Sequence, residues 1–115
     1  MTKEEEFLVK IDNPLFIDKL EVIAEYYGAE NQCRMLAEEC AELTKEVLKA
    51  IRCGYANKDA IAEEIADVSI MLYQIQCLLD IDLETVADIE DAKIKRQIDR
   101  IKSDIRAKYE AERKS

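Results

Sequence analysis

Apolar residues recur at steps of three and four along most of the chain, and the breaks in that rhythm predict four helices. The first opens at Asn13-Pro14, read as an N-cap and a first helical residue, because the first turn has no use for the N–H that proline lacks. Leu15, Ile17, Leu20, Ile23, Ala24 and Tyr27 supply its stripe, and Gly28 ends it. The second runs from about Ala29 to Cys53, with Leu36, Cys40, Leu43, Val47 and Ala50 or Ile51 in line. After the break "CGYAN", Asn57 or Asp59 can cap a third helix whose stripe is Ile61, Ile65, Val68, Leu72, Ile75 and Leu79. Asp82 caps the fourth. Its Ile94, Ile98, Ile101, Ile105 and Tyr109 make the seam of a helix that packs on a partner.

No stretch carries a strand period. Short connections between long helices favour antiparallel neighbours, so the expected fold is all-α, a four-helix bundle assembled as an oligomer through helix packing. Residues 1–12, with the acidic start "MTKEEE", are expected to form a mobile segment ahead of a single helical domain over residues 13–115.

Composition agrees with helix. There are only two glycines and one proline, and Ala, Glu, Lys, Leu and Ile abound. Neither a signal-peptide core nor a run of about 18 apolar residues is present, so a cytoplasmic protein without membrane contact is expected. The net charge of −9 is unevenly spread: residues 1–92 hold 8 Lys+Arg against 22 Asp+Glu, and residues 93–115 hold 9 against 4. Bulk acidity argues against binding a nucleic-acid polymer, whose backbone demands a basic face. With no histidine and no CxxC pair among Cys33, Cys40, Cys53 and Cys77, a Cys/His zinc site is excluded. Three of these thiols, Cys33, Cys40 and Cys77, fall in apolar helical patterns and are expected to be buried.

Acidic clusters remain to be explained. In "AEECAELTKE", Glu39 and Glu42 share a helical face with Gln32 and Met35, beside the apolar stripe. In "AEEIADV", Glu64 and Asp67 lie on a row with Ala60, Met71, Gln74 and Leu78, which is otherwise largely apolar. Carboxylates at such an edge repel one another unless a divalent cation joins them, and oxygen ligands alone select Mg²⁺ or Mn²⁺. A solvated acidic face is the competing reading, and it fits Glu38, Glu46 and Glu63 better than Glu39, Glu42, Glu64 and Asp67.

The order EExxE then ExxD, here Glu38-Glu39-Cys40-Ala41-Glu42 and Glu64-Ile65-Ala66-Asp67, resembles the MazG-like all-α nucleoside triphosphate pyrophosphohydrolases. The flanks "ENQCRMLAEECAELTKEVLKAIR" and "AIAEEIADVSIMLYQIQ" resemble that family's second and third helices, and the likeness covers about residues 28 to 105. It implies Mg²⁺ held by Glu39, Glu42, Glu64 and Asp67, with Glu38 orienting or deprotonating the attacking water. It further implies phosphate contacts from Lys93, Arg96 and Arg100, a nucleotide contact from Gln32, and a homodimer or dimer of dimers. The reaction implied is (d)NTP to monophosphate and pyrophosphate, in nucleotide-pool housekeeping. A phosphoribosyl-ATP pyrophosphohydrolase and a non-enzymatic helical interaction module are the alternatives.

Overall fold

Thr2 opens a helix that the apolar rhythm does not announce. Its Oγ1 accepts the Glu5 N–H at 3.1 Å while its own N–H donates to Glu5 Oε2 at 3.3 Å, a reciprocal cap that starts α1 (Lys3–Ile11). The computed structural model describes residues 1–114. Among them it holds α1, α2 (Phe16–Tyr27), α3 (Ala29–Arg52), α4 (Lys58–Leu78) and α5 (Leu83–Lys114), and no strand. The fold is all-α. Within residues 1–12, expected to form a mobile segment, Lys3–Ile11 are helical. Ion pairs from Lys3 to Glu25 (3.1 Å) and Lys10 to Glu21 (3.6 Å), with an edge-on contact of Phe7 and Tyr26, lay α1 along α2.

The chain divides into two compact units, Met1–Ile81 with α1 to α4, and a second from Asp82 that contains α5. The four helices expected are α2 to α5, three in the first unit and one in the second, and α1 is additional. No helix among the described residues is long and apolar enough to cross a membrane.

Each junction in the first unit has a local cause. Asn13 does not cap: its Oδ1 accepts the Leu15 N–H at 3.0 Å and its Nδ2 donates to Asp18 at 2.8 Å, so α2 begins only after Leu15. Gly28, at φ 86°, is the whole connection between α2 and α3; its N–H donates to Ala24 and its carbonyl accepts from Gln32. At the end of α3, Gly54 at φ 63° lets the Tyr55 N–H return to the Ala50 carbonyl at 2.8 Å. Asp80, at φ 53°, plays the same part after α4, where the Ile81 N–H reaches the Gln76 carbonyl at 2.8 Å. Asp82 does cap α5, its Oδ1 accepting the Glu84 N–H at 3.1 Å.

The strongest packing is between α3 and α4, with α2 laid mainly on α4, where the Phe16 and Tyr73 rings meet edge-on at 6.1 Å. On α3 the residues turned inward are Gln32, Leu36, Glu39, Leu43, Glu46 and Ala50, all buried or half-buried at alternating steps of four and three. On α4 they are Asn57, Ile61, Glu64, Val68, Met71, Ile75 and Leu78, with the same alternation. The apolar stripes are therefore not wholly the core. Cys40, Val47, Ile65, Leu72 and Leu79 are exposed on the outside of the pair. The thiols expected to be buried, Cys33, Cys40 and Cys77, are exposed as well, because the inward seam runs through the neighbouring positions.

Candidate metal centre

Three polar layers interrupt the α3–α4 seam, seven residues apart on α3 at Gln32, Glu39 and Glu46. In the first, Gln32 Nε2 donates to Gln74 Oε1 at 2.7 Å, and both residues are buried. In the third, Asn57 Nδ2 donates to the Glu46 carboxylate at 2.8 Å and to the Glu46 backbone carbonyl at 3.0 Å. These two layers, at opposite ends of the seam, fix α3 and α4 as antiparallel and set their register. Each outer layer joins a donor to an acceptor.

The middle layer is built of carboxylates. Glu39, Glu64 and Asp67 each bring a carboxylate oxygen within 4.8 Å of the others. Glu64 Oε2 is shielded from solvent and has no hydrogen-bond partner. Loss of water raises the Glu64 carboxyl above its ordinary range, and the negative charges of Glu39, Asp67 and Glu42 raise it further. A divalent cation fits this layer on its donor set, since every group is a hard oxygen and the Oε2 of Glu64 has no hydrogen-bond partner.

The other expected residues fall into three groups. Glu42 is exposed one turn along α3 from Glu39; it stands outside the three-oxygen cluster, though its charge acts on Glu64. Glu38 is exposed and lines a neighbouring pocket of about 530 Å³ together with Tyr27, Asn31, Gln32, Arg34, Met35 and Met71. Gln32 was expected to contact a nucleotide; it lines that pocket, and one N–H of its amide donates to Gln74. Lys93, Arg96 and Arg100 lie on α5 in the second unit, all exposed, and with Gln97 line a recess of about 220 Å³. Their shared face is the one that helical spacing gives.

No family model, curated protein or solved structure matches the chain. What it does rests on the chemistry of the seam.

Two contributors escaped the sequence reading. Glu46 reads as an ordinary helix acid, yet it is the acceptor that holds Asn57 at the loop end of the hairpin. Arg34 is the cationic side chain lining the pocket, beside Glu38 and 2.7 Å from Glu30. The repeat of polar residues at 32, 39 and 46, answered by 57 and 64 on α4, was the available signal for the first; nothing in the spacing singles out the second.

Proposed function

We propose that the chain is a MazG-like, Mg²⁺-dependent nucleotide pyrophosphohydrolase that converts (d)NTPs to monophosphates and pyrophosphate. The observation that carries this reading is the middle layer of the seam: three converging carboxylates, one with an orphaned oxygen, between two layers that are each joined by a side-chain hydrogen bond. Glu39, Glu64 and Asp67, with Glu42 a turn away, would hold Mg²⁺ or Mn²⁺. When bound, such an ion neutralises phosphate charge and lowers the pKa of water.

The chain's own residues supply the rest. Glu38, beside the cluster in sequence and lining the adjacent pocket, orients or deprotonates the water that attacks the α-phosphorus. As that P–O bond forms, the bond from the α-phosphorus to the oxygen bridging the β-phosphate breaks, and pyrophosphate leaves. The pocket, with the Tyr27 ring and two methionines beside Asn31 and Arg34, suits a nucleoside, an apolar disc with polar edges. Lys93, Arg96 and Arg100 offer the forked and point donors that phosphate oxygens accept. In this reading the enzyme works in the cytoplasm, in nucleotide-pool housekeeping, as a homodimer or dimer of dimers.

The test is pyrophosphate release from a panel of common and modified (d)NTPs, with phosphoribosyl-ATP included, in Mg²⁺ or Mn²⁺. Release is expected from at least one (d)NTP and should fall at least about a hundredfold in Glu39→Gln and Asp67→Asn. Release from phosphoribosyl-ATP alone would move the chain to that narrower activity. No release from any of them, with either metal, would refute the enzyme reading and favour the interaction module.

A further inference from the structure

A side-chain amide has two ends, a carbonyl that only accepts and an NH₂ that only donates, so two amides can hydrogen-bond either way round. In the Gln32–Gln74 layer a third group makes the choice. Gln74 Nε2 donates to Met71 Sδ at 3.7 Å, three residues back on α4, and a thioether has no hydrogen to give in return. With its NH₂ turned to the sulfur, Gln74 presents Oε1 to Gln32 and accepts the Gln32 Nε2–H at 2.7 Å. Gln32 is fixed in its turn. Its Oε1 takes part in neither bond and is the acceptor it brings to the pocket of about 530 Å³.

The reversed pair is the costlier one. It would set the Gln74 carbonyl against the Met71 sulfur, and Gln74 is 1 % exposed, so a buried acceptor would be left without a donor. Gln32 is 5 % exposed, so a ligand group packed against it takes the place of water and must supply the hydrogen itself. Arg34, the cation of the same lining, can only donate. An acceptor and a donor in one pocket read two neighbouring groups on a base. Cytosine and adenine offer an amino group beside a bare ring nitrogen. Uracil and hypoxanthine carry an oxo group and a ring N–H in those places, which sets acceptor against acceptor and donor against donor.

We propose that Gln32 selects nucleotides whose base turns an amino group to its Oε1, cytosine or adenine over uracil or hypoxanthine, with Gln74 and Met71 as positioning residues. The inference rests on the reading of this pocket as a nucleoside site and names the class of base it takes. The relay runs from Met71 through Gln74 to Gln32, so a residue that has only a sulfur to offer decides which end of an amide the ligand meets.

Calorimetric titration of the full chain in Mg²⁺ with non-hydrolysable α,β-imido analogues of dCTP, dUTP, dATP and dITP tests it. The amino member of each pair is expected to bind at least about tenfold more tightly than the oxo member. Gln32→Met should bring both ratios to about one. Met71→Leu keeps the bulk of the side chain but leaves either arrangement of Gln74 with one unpaired end, so the ratios should shrink; a merely structural Met71 would weaken both members alike and leave the ratios unchanged. If Gln32→Met does not fold, the wild-type ratios and Met71→Leu decide. Equal binding within the pairs, tighter binding of the oxo members, ratios that survive Met71→Leu, or no binding of any analogue would each overturn the proposal. Pyrophosphate release without an amino preference would sink this inference and leave the enzyme reading standing. Amino-selective binding with no release from any nucleotide would do the reverse.

Discussion

Gln32 donates its side-chain amide to Gln74 across 2.7 Å in the buried end of the α3–α4 seam, joining positions 42 residues apart. Neither side chain has water to fall back on. Replacing Gln74 with leucine strands the Gln32 amide, and a buried unsatisfied amide costs about 1–3 kcal/mol. Gln74→Leu should therefore lower stability in chemical denaturation by that amount. The double variant Gln32→Leu/Gln74→Leu should recover a good part of it, because no polar group is then left unpaired. If the double variant is as damaged as the sum of the singles, the pair is not coupled as its geometry requires.

Asn57 separates what sequence rules expect from what the fold does. It stands at the N-cap of α4, where aspartate is as good as asparagine. Yet its side chain makes no cap bond and donates instead to both the carboxylate and the carbonyl of Glu46. Asn57→Asp turns the amide that donates to Glu46 into a second carboxylate. Destabilisation of about 1–3 kcal/mol at pH 7 is expected. Equal stability of the two proteins at pH 7 would show that the cap, and not the bond to Glu46, decides this position.

Arg34 tests the pocket independently of the metal. It lines the 530 Å³ cavity beside Glu38 but has no part in the carboxylate cluster. In the pyrophosphohydrolase reading, Arg34→Gln should raise KM for the nucleotide about tenfold, the worth of one charge-assisted contact. The rise in melting temperature that Mg²⁺ gives without nucleotide should be unchanged. A fall in kcat with KM unaltered would place Arg34 in the chemistry rather than in binding.

The helices were legible from residue 15 onward because apolar spacing and punctuation agree there: Gly28, Gly54 and Asp82 stop or start helices where composition says they should. Asn13 and Asn57 were misleading for one reason. Each can cap, but each has a stronger local partner, the Leu15 N–H with Asp18 in one case and Glu46 in the other. Helix α1 was missed because its stability comes from a two-residue capping box and from contacts with α2, neither of which appears as a long apolar rhythm. Of the candidate site, Glu39, Glu64 and Asp67 were reachable, since helical phase puts acids beside a stripe and the repeat of seven puts them in one layer. Leu72 and Val47 were assigned to the core because periodicity identifies an apolar face without saying whether its cover belongs to the same chain.

The Glu64 carboxyl supplies the last test, through the sign of its pH dependence. Lost water and the charges of Glu39, Asp67 and Glu42 hold it above the ordinary carboxylate range, so the folded chain grips this proton more tightly than the unfolded chain does. The stability it contributes is full below the ordinary carboxylate range and is lost as pH rises through the raised value. That is the reverse of a carboxylate in an ion pair. Glu64→Gln keeps the shape and removes the titration. In metal-free buffer at neutral pH the variant should melt above the wild type, with the gap closing toward pH 4. Adding millimolar Mg²⁺ should then raise the wild type's melting temperature and leave the variant's nearly still, because the group that repels its neighbours without the ion is the one that binds it. A gap that is constant across pH would mean that Glu64 feels neither its lost water nor its acidic neighbours. An equal Mg²⁺ response in the two proteins would put the cation somewhere other than this layer.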